Sequence, residues 1–387
     1  MKEDLAIARF SSAEYQRRHM LAAGMLAEGG LEALVVYGNS YKSSDVRWVS
    51  GFSPRHDTFL IWPASGQPTL LTLHFNHVPT AQRVSHIADT RWGGTDIGST
   101  AAQILREKGV VRGRVGLVGS IPYRNYLTLA SAFPEVQFMP RDKDFQVLRL
   151  VKSEEEIRWI RKAAAFTDVA MAALAQAAAM GVSEHQLVAA IECAYLGAGG
   201  EHNIHFMSAT PMDNPGSFVP DQTHTSRCLQ IGDVIINEIG AGWGGYKAQV
   251  HRAFAVGREP TPVYQRLYRV AREVHDGIVG LLRAGVAIGQ ALDIAERIER
   301  EGLTICDDLI HGYGMGIEQP VIRTRATAHG PQDESLVFHE NSVLIVQPNV
   351  VDEATGAGLQ IGNTILIRAG TAETLTSYPM EFTALAH

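Results

Sequence analysis

The feature that most constrains this chain is a break in its texture near residue 150. Before the break, short aliphatic runs at 31–37, 59–62, 69–73, 114–118 and 136–139 are each bounded by Gly, Pro or Asn, as buried strands are. Helical stretches at 99–108 and 123–132 lie between them. Ser11-Ser12-Ala13-Glu14 has the spacing of a capping box, and the segment after it sets Leu21, Met25 and Leu26 on one helical face. The first part therefore reads as an α/β unit. At the break, Lys152-Ser153-Glu154-Glu155-Glu156 supplies a second capping box, with Ser153 and Glu156 satisfying amide donors, and a long helix follows. Ser183 to Gln186 starts another helix by the same logic, and 262–284 and 288–301 are further helical stretches. Strands are predicted at 234–238, 249–256, 343–347 and 364–367, not interleaved one for one with helices. The reading is two domains, 1–150 as α/β and 151–387 as α+β.

Length and composition agree with that division: 387 residues with 45% hydrophobic content can bury two cores. The net charge is −7 and no basic block occurs, which argues against nucleic acid as a partner. Cys193, Cys228 and Cys306 are far apart and lack a C-x-x-C spacing, so neither a disulfide framework nor a cysteine zinc site is predicted, and a reducing cytoplasm fits. Lys2, Glu3 and Asp4 open the chain without the basic start and apolar core of an export signal. The apolar stretch 163–182 is mostly alanine and carries Thr167, Asp168 and Gln176, a composition for a packed helix rather than a membrane span. Ile231-Gly232-Asp233-Val234-Ile235 is echoed by Ile361-Gly362-Asn363-Thr364-Ile365, a hint of internal duplication.

Three pieces of the second part carry chemistry. They are Asn237-Glu238-Ile239-Gly240-Ala241 with the segment from Gly245 to Arg252, then His311-Gly312-Tyr313-Gly314, then Val346-Gln347-Pro348. In order and separation these resemble the pita-bread family of creatinases, prolidases, aminopeptidases P and methionine aminopeptidases. Asp45 to Phe52 is similar to a segment of that family's N-terminal domain, and Arg149-Leu150-Val151-Lys152-Ser153 with Glu156-Ile157 to the entry of its catalytic domain. The resemblance implies an α+β pita-bread catalytic domain behind a smaller α/β domain, in a homodimer.

Metallopeptidases of that family hold two ions with two Asp, one His and two Glu. Carried over, these positions fall on Glu238, Gln249, His311, Gln347 and Gly362, so four of the five differ. With Glu238 as the one anion among them, roughly three positive charges of an ion pair would lie uncompensated in a desolvated pocket. The expectation is therefore a hydrolase without a metal cofactor, cleaving a C–N bond of a small zwitterionic or guanidino compound as creatinases and ectoine hydrolases do.

Such a reaction needs a general base near the working pH, and His251, His311 and His224 are the candidates. Strand periodicity sets Gln249 and His251 on one face, so both enter the pocket. Glu238 orients a histidine or meets a cationic substrate. Gln347 offers hydrogen bonds, Arg323 and Arg325 would clamp a substrate carboxylate, and Tyr313 lines the pocket. Ile317-Glu318-Gln319-Pro320 offers Glu318 where the family has a second histidine. Arg55 and His56 would reach the site of the partner subunit. Each residue also has a plain structural reading: Glu238 pairing with His251 or Arg252, His251 as a core histidine, the arginines as a solvated edge, Gly244-Gly245 as a tight turn. Two other functions stay open, an Xaa-Pro metallopeptidase and a catalytically silent binding protein.

Overall fold

The computed structural model describes residues 8–382 and 384–385, and the chain divides into two compact units, Met1–Arg149 and Leu150–His387. Lys2, Glu3 and Asp4 lie outside the described residues.

In the first unit, helix α1 (Ser12–Gly29) starts on Ser11, whose hydroxyl accepts the Glu14 amide at 3.1 Å. Strand β1 (Ala33–Gly38) follows, then α2 (Ser44–Ser50), β2 (Thr58–Pro63), β3 (Thr69–Thr72), α3 (Val78–Val84), β4 (Asp89–Trp92), α4 (Ile97–Glu107), β5 (Gly113–Val118), α5 (Tyr123–Ala132), β6 (Val136–Pro140) and α6 (Asp142–Val147). Among the described residues the strands form a six-stranded sheet in the order β4-β3-β2-β1-β5-β6. The central β1 is buried along its whole length, the expected state of a strand written as a continuous aliphatic run. Val35 and Tyr37 of β1 pack with Ile104 and Leu105 of α4 and Leu129 of α5.

The second unit opens with α7 (Glu154–Ala177), where Ser153 and Glu156 form the reciprocal capping box. It continues through α8 (Glu184–Leu196), β7 (Glu201–Pro211), β8 (Asp233–Trp243), β9 (Tyr246–Val256), α9 (Pro262–Leu281), α10 (Ile288–Ala295) and α11 (Arg297–Arg300). Then come β10 (Thr304–Ile305), β11 (Ile310–Tyr313), β12 (Ile317–Ile322), β13 (Val343–Val346), β14 (Asn349–Asp352), β15 (Ala357–Gln360) and β16 (Gly362–Ile367). The main sheet runs β12-β11-β13-β16-β9-β8-β7, and β10-β14-β15 form a smaller one. Where one helix is predicted over 288–301, two form, divided at Glu296.

Alternation along β8 and β9 explains how both faces of this sheet are covered. Val234, Ile236, Ala253 and Ala255 join the core of α9, built on Leu267, Val270, Val274 and Ile278. Ile235, Ile239, Val250 and Phe254 meet Met171 and Leu174 of α7 and Leu187 and Ile191 of α8. Gly244 (φ 62°) and Gly245 (φ 89°) make the two-residue turn between the strands, and both left-handed positions suit a hairpin of right-handed twist. The two echoed segments become β8 and β16, which flank β9 on either side.

The seam between β9 and β16 is tied by a buried cation. Arg252, 1% exposed, donates to the carbonyls of His251 (2.7 Å), Gly362 (2.8 Å), Pro379 (2.8 Å) and Tyr378. Burial lowers its pKa to about 10, still well above neutrality, so the guanidinium remains charged, with four of its five N–H donors bonded to these carbonyls. A second buried pair joins Lys152 to Glu318 at 2.5 Å, which removes Glu318 from the set of available catalytic acids.

Two outcomes follow from this packing. A Cβ on Gly362 would lie 2.5 Å from the Val346 carbonyl and 2.8 Å from His251 Nδ1. Gly362→Ala is therefore expected to cost about 1–3 kcal/mol in urea unfolding. Glu318→Leu strands the Lys152 ammonium and should cost about 3–5 kcal/mol by the same measurement, whereas Lys152→Met/Glu318→Leu together should recover much of that loss.

Candidate active site

Three strands set out one row of side chains. In the β8–β9 register Glu238 faces His251, and in the β9–β16 register His251 faces Gly362. Because Gly362 has no side chain, the His251 ring occupies the space beside it. His251 is fully buried, and neither ring nitrogen has a hydrogen-bond partner; Nε2 lies 3.8 Å from Glu238 Oε1. Gln249, two residues along the same face of β9, donates from Nε2 to Glu238 Oε1 at 2.6 Å, and its Oε1 is buried and unpaired.

A cavity of about 370 Å³ opens beside this row. Its lining includes the polar Glu238, Asp307, Asp308, His311 and Gln347 and the apolar Phe206, Phe218, Val219, Pro220 and Ile317, with Phe206 beside Glu238 in the β7–β8 register. His311 sits on β11, where its Nδ1 meets the Gly312 carbonyl at 3.1 Å. Donation to that carbonyl leaves Nε2 as the basic nitrogen. Burial holds the His311 pKa below the ordinary histidine value, partly offset by that hydrogen bond and by Glu238, so the ring is neutral at pH 7. Gln347 donates from Nε2 to the Asp308 carbonyl at 3.2 Å, while its Oε1 is buried without a partner.

Asp307 and Asp308 are the acids that the sequence reading missed. They sit in the loop between β10 and β11, three and four residues before His311. Asn349 braces that loop: its Oδ1 accepts the amides of Cys306 and Asp307, each at 2.8 Å, and its Nδ2 donates to the Asp308 carbonyl at 3.1 Å. Burial and the neighbouring Asp307 raise the Asp308 pKa, with His311 and Arg323 acting against them. The adjacent acids ahead of the His-Gly-Tyr-Gly segment are the signal that was available.

The other nominated residues are distributed as follows. Tyr313 is buried, its hydroxyl accepting from Asn203 at 2.9 Å and its ring 5.5 Å from that of His311. His224 turns to the His205 carbonyl and is not among the cavity-lining residues, whereas Gln222 from the same loop is. Arg323 donates to the Cys306 and Thr327 carbonyls and lies 3.7 Å from Asp308, so it backs the acidic loop. Arg325 is held on the surface by Asp293, Glu296 and Glu334. Arg55 and His56 belong to the first unit and are exposed, with His56 stacked on His77.

Comparison with known proteins matches residues 18–151 to the Creatinase/Prolidase N-terminal domain and residues 158–369 to Metallopeptidase family M24. The Xaa-Pro dipeptidase of Pyrococcus horikoshii is 23% identical over 88% of this chain and 92% of its own length. Among solved structures, the Xaa-Pro dipeptidase from Bacillus anthracis superposes with a TM-score of 0.80 at 19% identity, covering 96% of this chain and 99% of that one. The X-Pro aminopeptidase from Thermotoga maritima also gives 0.80, at 20% identity over 95% and 99%.

These matches overturn two expectations. A metal-independent hydrolase of creatinase type gives way to the metallopeptidase family and to relatives named as Xaa-Pro dipeptidases. The expectation of no metal cofactor falls with it, and its charge count also fails, because Asp307 and Asp308 join Glu238 in lining the cavity. The five family positions nevertheless do not fit a pair of ions in the family's own arrangement. Gln249 directs its amide N–H at Glu238, and His251 fills the space beside Gly362 where the fifth ligand would stand. Among the described residues, no three histidine, cysteine or carboxylate ligand atoms of this cavity lie within 4.8 Å of one another. Negative charge has been kept while the donor positions have changed. Two tandem family matches across one two-domain pita-bread fold settle the classification: the chain belongs to metallopeptidase family M24, behind a creatinase/prolidase-type N-terminal domain.

Proposed function

We propose that this chain hydrolyses the peptide bond of small dipeptides of the Xaa-Pro class, as a cytoplasmic homodimer. The observation that carries the reading is the mixed lining of the cavity, in which carboxylates and a neutral histidine stand with apolar side chains around a volume suited to a small ligand. The cationic amino group of a dipeptide suits Glu238 and Asp308. The apolar ring of a C-terminal imino acid suits Phe206, Phe218 and Pro220. Gln347 Oε1, buried and unpaired, is an acceptor for an N–H of the dipeptide's terminal ammonium, and accepting one would relieve the cost of its burial. His311 is the base: Nε2 holds the lone pair and burial keeps it unprotonated, so it can take a proton from the attacking water. The matches to relatives that carry dipeptidase names over nearly their whole length support the same substrate class.

Release of proline from Ala-Pro and Leu-Pro, assayed with Mn²⁺ or Co²⁺ supplied, tests the proposal. Turnover is expected, and a failure to release proline from either dipeptide would refute it. His311→Ala should lower kcat by roughly 10²–10⁴-fold with its fold intact by circular dichroism. Because His311 acts unprotonated and its pKa is lowered, activity should fall as pH drops through a value below the ordinary 6.5 for histidine. An acid limb at or above that value in kcat/KM would assign the base elsewhere.

A further inference from the structure

The loop of strand pairing at the start of β7 is irregular in a way that gathers two histidines. His202 and His205 are three residues apart, and on a regular strand an odd separation sends side chains to opposite faces. Here His202 pairs with Ala241 and His205 with Ile239, so three steps on β7 match two on β8. The extra residue is a bulge, a device that re-aims side chains. The two rings come within 5.2 Å of each other. Glu192, from the last turns of α8, completes the group, its Oε1 2.8 Å from His202 Nδ1. One carboxylate oxygen and one nitrogen from each ring lie within 4.8 Å of one another.

A surface ion pair between Glu192 and His202 would account for those two residues alone. It does not account for His205, which is 2% exposed. Tyr195 Oη meets its Nε2 at 2.8 Å, and its Nδ1 is buried with no hydrogen-bond partner. In the tautomer that donates Nε2–H to the tyrosine oxygen, Nδ1 keeps its lone pair, the arrangement that orients a metal-bound imidazole. The other two ligands are accessible, with side-chain exposures of 60% for His202 and 34% for Glu192, which leaves an entry path and room for water.

We propose that Glu192, His202 and His205 bind a divalent transition metal of the zinc, cobalt or nickel class, at a site distinct from the cavity. Two imidazoles and one carboxylate match the borderline preference of these ions, and three protein ligands leave a fourth position for water. The site draws on none of the residues assigned to peptide hydrolysis and stands whether or not that assignment holds.

The test is a titration of the metal-stripped full chain with Co²⁺, read by visible absorption, and with Zn²⁺, read by competition with a fluorescent indicator. The wild-type chain should bind one equivalent that His202→Ala and Glu192→Gln lose or bind at least about tenfold more weakly. That equivalent should survive His311→Ala. Since His202 and Glu192 are partly exposed, unchanged thermal melting of both variants in chelator is the folding control. The proposal fails if both variants retain wild-type stoichiometry and affinity, if the equivalent disappears with His311→Ala alone, or if no equivalent binds below about 100 μM, a Kd near −5.5 kcal/mol.

Discussion

The second unit depends on what stands beside one glycine. Gly362 leaves a gap at the β9–β16 seam, and His251 takes it, fully buried and opposite Glu238. The backbone on both sides of that gap is held by Arg252, whose guanidinium saturates the His251 and Gly362 carbonyls and two more from the C-terminal segment. A buried cation is expensive unless its donors are paired. Here backbone oxygens take four of the five, so the seam keeps a charge without consuming an acid from the cavity.

The cavity inherits its character from this arrangement. With Gln249 bonded to Glu238 and His251 in place of a side chain at 362, the strand positions contribute one carboxylate. The remaining acids come from a loop, Asp307 and Asp308, whose backbone is pinned by Asn349 and whose outer side is backed by Arg323. Among the described residues, acids on this braced loop add negative charge to the cavity lining without bringing three ligand atoms together at one point.

Much of the fold was legible. The capping box at Ser153 marks α7, the paired glycines mark the β8–β9 turn, and the aliphatic runs of β1, β2, β8 and β9 mark central strands. These signals are local, arising from unsatisfied amides, left-handed backbone and burial on both faces. Less visible were β7, whose polar start and bulge break the alternation, and the short strands β11 and β12, where glycines interrupt any period. Of the site, Glu238, His311 and Gln347 could be named from their motifs, and all three line the cavity. Arg325 could not be judged from sequence, because its acidic partners come from two separate stretches of chain, Asp293 with Glu296 and then Glu334.

The sequence alone determined the family architecture, since helix caps, turn glycines and buried strands are written in neighbouring residues, and it fixed the identities of Glu238, Gln249, His311, Gln347 and Gly362, onto which the resemblance carries the family's ligand positions. Only the tertiary structure decided what those residues face. It brought Asp307 and Asp308 to the cavity that Glu238 lines from about seventy positions away in sequence, turned His224 to a strand carbonyl instead of the cavity, and set His202 beside His205 through a bulge. Charge compensation acts through space, and a count of acids along a motif leaves out those that only folding brings near.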